Sequence, residues 1–372
     1  MNKINRRDFL KLGFLSAGAL AFMPRTRNIF SVQNALADFP KGARLGRVFH
    51  LADIKLKPDP NSSTVGTLYE DNVVEWLRDV VGAAPNANST NRKWVETPTG
   101  YIAAIDMQPV QAILNTPVTD LPQQSEGKGF WAEITVPYVD ITLDNPPAHA
   151  QILKDWIANS TQPRFYYSQI FWVDNLRTDD QGNTQYHVIE KHGSSGDMFW
   201  ADARAFRPIT AEELAPISPD VADKRVLVDL THQTVSCYEG KREVYFTRVS
   251  TGAKFTSDGA KTEAYSTPVG LYNVITTKYI SVHMAGGSAA AGYELFGVCW
   301  TSIFATGGVA LHSTYWHNNY GEPMSHGCVN MTPEDSKFIY RWSLPQAPYE
   351  AGKIEQTGYV GATNVQVIED TI

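Results

Sequence analysis

The chain has 372 residues, with 32 lysines and arginines against 39 aspartates and glutamates, a formal net charge of −7. That balance offers no counter-charge to a nucleic-acid backbone and no basic face to a lipid surface, so nucleic acid is excluded as a partner. Three cysteines exclude a disulfide scaffold and leave at least one thiol free.

In chain order, Asn5-Arg6-Arg7-Asp8-Phe9-Leu10-Lys11 precedes a moderately apolar, Gly/Ala-rich segment from Leu12 to Met23. Ala35-Leu36-Ala37 then supplies the small-x-small pattern of a signal-peptidase site. The segment is too short and too rich in glycine for a membrane span. Residues 1–37 resemble a twin-arginine export signal, which implies export of the folded protein. Arg25 and Arg27 behind the apolar run leave a retained anchor open, and membrane contact is expected only through this segment if it is kept. Cleavage after Ala37 leaves 26 basic against 38 acidic residues, a net charge of about −12.

Residues 42–112 read as short strands broken by turn residues: Val48-Phe49-His50-Leu51, Thr64 to Leu68, Val73 to Leu77, Lys93-Trp94-Val95-Glu96 and Gly100-Tyr101-Ile102. The span Gly82 to Arg92 reads as a polar hairpin loop without a site. The pattern resembles a bacterial Src-homology-3-like β-barrel. A second such module is expected over 126–212, where Tyr186-His187-Val188 and Met198-Phe199-Trp200-Ala201 mirror the final strands of the first. It holds a hairpin turn at Asp179 to Asn183. It also holds a helix over Asn145 to Ile157, with Ile152, Leu153, Trp156 and Ile157 on one face. The aromatic run from Phe165 to Trp172 suits core packing better than a glycan groove. His187 and His192 lack companion ligands at metal spacing, so no metal is assigned.

The third unit is expected from residue 223. Arg225 to Leu230, Thr234 to Lys241 and Glu243 to Gly252 are strands, and Thr267-Pro268-Val269-Gly270 opens the next. His283 to Gly292 is a small-residue loop suited to a lid. Then comes the chemistry-bearing stretch, Leu311-His312-Ser313-Thr314-Tyr315-Trp316 through Ser325-His326-Gly327-Cys328-Val329-Asn330-Met331. A thiol becomes a nucleophile when an imidazole takes its proton and holds the ion pair. His326 is two residues from Cys328, too near for easy in-line contact, so His312 is the expected base and His326 supports. Gly327 lets the backbone bend, so that the amides of Gly327 and Cys328 can face an oxyanion. Cys237 and Cys299 sit among apolar neighbours as core positions, and whether they pair is left open. Thr332-Pro333-Glu334-Asp335 starts a helix that packs Phe338, Ile339 and Trp342 behind the Cys loop. Residues 346–372 form an extension in which Thr363 to Ile368 is expected to add an edge strand.

His312, twelve intervening residues, then Ser325-His326-Gly327-Cys328-Val329-Asn330 resembles the L,D-transpeptidase family with the YkuD-type catalytic domain, here over 223–345. The resemblance implies a mainly β protein, a β-sandwich catalytic domain behind one or two small Src-homology-3-like β-barrels. It implies peptidoglycan stem peptides as substrate, no cofactor, and a place in the cell envelope or outside the cell, associated with the wall. Cys328 would be the nucleophile and His312 the general base and acid. Ser313 would orient His312 through its backbone carbonyl, and Ser325, Asn330 and Tyr293 would border the substrate. Asn330 stands where many members carry arginine. The rival outcomes are an L,D-carboxypeptidase using the same acyl-enzyme and a non-catalytic wall-binding protein whose amino-terminal modules contact glycan.

Overall fold

The computed structural model describes residues 36–86, 89–125, 127–255, 260–286, 292–356 and 361–370. Apart from Leu36 and Ala37, the expected export segment lies outside them.

In the first module, turn residues keep the strands short. Leu45–Val48 pairs with Val73–Glu75 and Met107–Val110, and a five-stranded sheet runs through Thr64–Leu68, Ala52–Lys55, Gly100–Ala103, Lys93–Thr97 and Arg78–Val81. Val48, Ile54, Trp76, Val95, Ile102 and Met107 form the core between them.

The second module is one seven-stranded sheet between Phe130 and Pro208. Its aromatic run is mostly core: Phe165 stacks on Phe171 at 4.0 Å, and Phe199 meets Phe165 edge-on at 5.0 Å. Helix α1 is Gln151–Ala158, starting six residues later than the sequence suggests. Pro146 and Pro147 disfavour helix in the residues before them. The start is fixed instead by Asp197, whose carboxylate accepts the amides of His149 and Ala150 at 2.8 Å each. Leu153 is buried and Ile157 is 51% exposed, so the apolar face is narrower than expected.

The third unit is a sandwich. One sheet orders its strands Arg242–Arg248, Thr234–Glu239, Lys224–Asp229, Asn364–Ile368 and Gly270–Val274. The other orders Val329–Met331, Val309–Ser313, Tyr293–Ala305, Thr277–Gly286 and Lys353–Glu355. Val226, Val235, Leu311, Val329, Val365 and Val367 close the space between them. Helix α2, Pro333–Trp342, begins as the sequence indicates, with the Thr332 side chain accepting the Asp335 amide at 3.1 Å and proline in the first turn. It buries Ile339 and Trp342 in the sandwich, while Phe338 stacks on Tyr245 at 3.8 Å.

One expectation is corrected here, and one open question is answered. Asn364–Ile368 is not an edge strand: it runs parallel to Lys224–Asp229 on one side and antiparallel to Gly270–Val274 on the other. The alternation of buried Val365 and Val367 marks a strand but does not count its neighbours, so the sandwich reaches Ile368 rather than ending near 345. Cys237 and Cys299 are both buried and free. Cys237 packs inside the sandwich, whereas the Cys299 sulfur lies 2.8 Å from Ser313 Oγ and 3.3 Å from the Ser168 carbonyl.

Candidate active site

Strand Val309–Ser313 carries His312, and Val329–Met331 runs parallel beside it, with His312 opposite Asn330. Cys328 is the last residue of the turn that enters the second strand. Three hydroxyl-bearing or glycine positions fix that turn. Ser325 Oγ accepts the Gly327 amide at 3.0 Å and donates to the Cys328 carbonyl. Thr267 Oγ1 donates to the Gly327 carbonyl at 2.9 Å and accepts the Gly252 amide at 2.9 Å. Gly327 has φ +114°, yet a Cβ there would meet nothing closer than 3.6 Å, so it is the backbone conformation and not crowding that calls for glycine. One expected role changes. The Gly327 amide is already held by Ser325, so it braces the turn and is not free to face an oxyanion.

His312 is 3% exposed. Its Nδ1 lies 2.8 Å from the Ser313 carbonyl, which can only accept, so Nδ1 bears the proton and Nε2 keeps its lone pair. Burial drives the imidazole down to about 4, with the Ser313 bond opposing only in part. Ser313 is itself fixed, its Oγ donating to the Cys299 carbonyl at 3.0 Å. Burial pushes the Cys328 thiol above its usual value, against a weaker opposing bond from the Ala310 backbone. Both shifts favour a neutral thiol and a neutral imidazole at rest.

Cys328, His312, Ser325, His326, Asn330 and Tyr293 converge on one pocket of about 330 Å³. His326 is exposed, its ring edge-on to Tyr265 at 4.5 Å and 5.2 Å from Tyr293, so it forms the mouth. Sequence reasoning missed Trp316, His317, Met284, Leu295 and Met324, which complete the lining. His317 Nε2 lies 2.8 Å from the Asn330 carboxamide, and burial also takes its imidazole down to about 4. The available signal was position, since Trp316 and His317 sit four and five residues after His312.

Two neighbours of the pocket differ from expectation. The anticipated lid is a hairpin in which Gly286 pairs with Tyr293, and residues 287–291 lie outside the described residues. His283 at its base is buried, with Nδ1 2.8 Å from Glu190 and Nε2 3.2 Å from Glu294. The polar loop of the first module braces the loop between His312 and Cys328. Glu322 Oε1 accepts from Ser89 Oγ at 2.6 Å, the Thr90 amide at 2.6 Å and the Asn91 amide at 2.9 Å. Arg47 donates to the Tyr315 carbonyl at 2.8 Å, and Asn318 to the Ala104 carbonyl at 3.0 Å.

Residues 223–367 match the model of the YkuD family, described as an L,D-transpeptidase catalytic domain. This stretch is a YkuD-type L,D-transpeptidase domain. The span of the match includes strand Asn364–Ile368 almost entirely, as its inner position in the sheet requires. Among solved structures, the protein is similar to an L,D-transpeptidase of Enterococcus faecium, at 22% identity over 39% of this chain and 50% of that one, with a TM-score of 0.29. One from Stackebrandtia nassauensis gives 25% identity, 43% and 60% coverage, and a TM-score of 0.26. One from Mycobacterium smegmatis gives 15%, 70% and 100%, and 0.30. The chain thus spans about half the length of the Enterococcus faecium structure. No curated protein sequence matches it significantly.

Proposed function

We propose that the protein is a peptidoglycan L,D-transpeptidase that works through a Cys328 thioester. The observation that carries this reading is the fixed tautomer of His312: with Nδ1–H held by the Ser313 carbonyl, only Nε2 can take a proton inside the pocket that contains Cys328. Substrate enters as the stem tetrapeptide, whose amide between the third residue's L-centre and the terminal D-alanine meets Cys328. The thiol proton passes to His312 Nε2 as sulfur adds to the carbonyl carbon, and the Cys328 amide steadies the oxyanion. Collapse breaks the C–N bond, and His312 returns the proton to the leaving D-alanine amine. A side-chain amine of a neighbouring stem then attacks the thioester, loses its proton to His312 and regenerates the thiol. His326 and Tyr293 shape the entrance, and Ser325 and Asn330 hold the floor. Because the pair is neutral at rest, proton transfer belongs to the attack itself and does not precede it.

The amino-terminal segment sends the folded chain out by the twin-arginine route to the envelope, where the two Src-homology-3-like modules hold the catalytic domain against the wall. Intact mass after exposure to a carbapenem, run beside Cys328→Ala, tests the centre of this reading. One covalent adduct on the wild type and none on the variant is expected. A folded wild type without adduct would sink it in favour of a wall-binding protein. Muropeptide products then decide between transfer, seen as cross-linked dimers, and hydrolysis, seen as tripeptides alone.

A further inference from the structure

A second cleft, of about 230 Å³, opens where all three units meet, and it shares Leu295 and Trp316 with the catalytic pocket. Half of its lining is aromatic: Phe49, Trp156, Tyr166, Phe296, Tyr315 and Trp316. Tyr166 and Phe49 are covered, with Arg47 over their faces at 4.1 and 5.4 Å and Tyr315 stacked on Tyr166 at 5.9 Å, so Trp156 and Trp316, each half-buried, are the faces left to a ligand. The charged groups are unequal. Arg47 and Arg164 both spend themselves on Asp71, at 2.8 and 2.9 Å, and Arg164 also on Asp140 at 2.8 Å. Glu70 is the charge left over, exposed at the rim. Trp156 is held over the cleft because Glu294, which reaches His283 with one oxygen, accepts the Ile152 amide of α1 with the other at 2.8 Å.

Flat aromatic faces edged by planar polar groups complement a ligand that presents C–H faces and hydroxyl edges. Glu70 accepts from hydroxyls, whereas it would repel the carboxylates of a stem peptide, and both guanidiniums are already committed to carboxylates of the protein. We infer that this three-way cleft is a glycan subsite, taking one sugar ring of the peptidoglycan strand beside the stem seated at Cys328. The inference rests on the peptidoglycan reading above and extends it. It assigns recognition of the strand to α1 of the second module and to the rim of the first.

The test uses the full exported chain and two probes, peptide-free glycan strands and the isolated tetrapeptide stem, titrated by calorimetry against wild type, Glu70→Gln and Trp156→Ala. Glycan binding to wild type is expected, weakened about tenfold by Trp156→Ala and several-fold by Glu70→Gln. Carbapenem acylation of Cys328 should be unchanged in both variants. Glu70→Gln changes an exposed group, so it stays informative should Trp156→Ala fail to fold. Glycan affinity unaffected by either substitution, no glycan binding at all, or loss of stem binding instead of glycan binding would each overturn the subsite. Failure of acylation in the wild type would instead strike the thioester reading.

Discussion

At the residue scale, the pairing of a low histidine with a high thiol sets the pH behaviour. Burial keeps the His312 imidazole neutral above about pH 4, so its Nε2 lone pair is available at physiological pH. Acylation of Cys328 by a carbapenem should hold a plateau through neutral pH and fall on the acid side as pH approaches about 4, where Nε2 gains a proton. The thiol should show no thiolate absorbance at pH 7 in the difference between wild type and Cys328→Ser, since burial holds it above the usual value of about 8.5. A thiolate signal at neutral pH would mean that the pair is charged at rest. Gly327→Ala tests the turn. With φ at +114°, an alanine costs about 1–3 kcal/mol of backbone strain. It also moves the sulfur, so acylation should slow by at least tenfold while the melting temperature shifts by only a few degrees. These positions were legible in the sequence because their chemistry is local: a glycine before a cysteine, a serine two residues before the glycine, a histidine at the end of an apolar strand. His317 was not, because its role depends on burial beside Asn330, and nothing in its neighbours announces burial.

At the element scale, the loop between His312 and Cys328 is held from outside the catalytic domain. Glu322 joins it to residues more than two hundred positions earlier, and Asn319 Nδ2 donates to its other oxygen at 2.9 Å. Burial works against that carboxylate, yet the bonds from Ser89, Asn91, Asn319 and Thr90 outweigh it and hold the carboxyl below its ordinary value. A depressed carboxyl contributes stability that is present above about pH 4.3 and lost as pH falls through the folded value. Glu322→Ala leaves the donors without a carboxylate and should cost about 1–3 kcal/mol. Hydrogen exchange should rise in residues 314–324 and 89–92 while the sandwich strands stay protected. An even rise across the chain would show that the carboxylate stabilises the fold at large and does not brace this loop. Period and turn chemistry revealed the strands on both sides of this contact. They carry no information about which loop of one module meets which loop of another, so a span that reads as an empty polar hairpin proves to be a brace.

At the scale of the whole molecule, the modules are tied by charge buried between them. His283 stands on the catalytic hairpin. Glu190, from the second module, reaches its Nδ1, and Glu294 reaches Nε2. The free oxygen of Glu190 accepts the Gly297 amide at 2.7 Å, so each carboxylate has a second partner. Burial opposes charge on His283, but the two carboxylates win and raise it, while burial raises Glu190 despite the imidazole. Both shifts mean that the folded state holds protons more tightly than the unfolded chain, so both make stability fall as pH rises. The histidine contribution is complete below about 6.5 and disappears as pH climbs through the raised folded value. Removing the imidazole leaves buried Glu190 and part-buried Glu294 with one backbone amide each and no cationic partner, a change that costs about 3–5 kcal/mol. His283→Ala should therefore lower the melting temperature strongly; the wild type is expected to lose melting temperature as pH rises above about 6.5, and the variant should lose the histidine's share of that slope. A variant that melts lower but keeps the wild-type slope would place the titrating group elsewhere. The same hairpin supplies Met284, Tyr293 and Leu295 to the catalytic pocket, so loosening it should also slow acylation of Cys328 at alkaline pH, in step with the loss of stability.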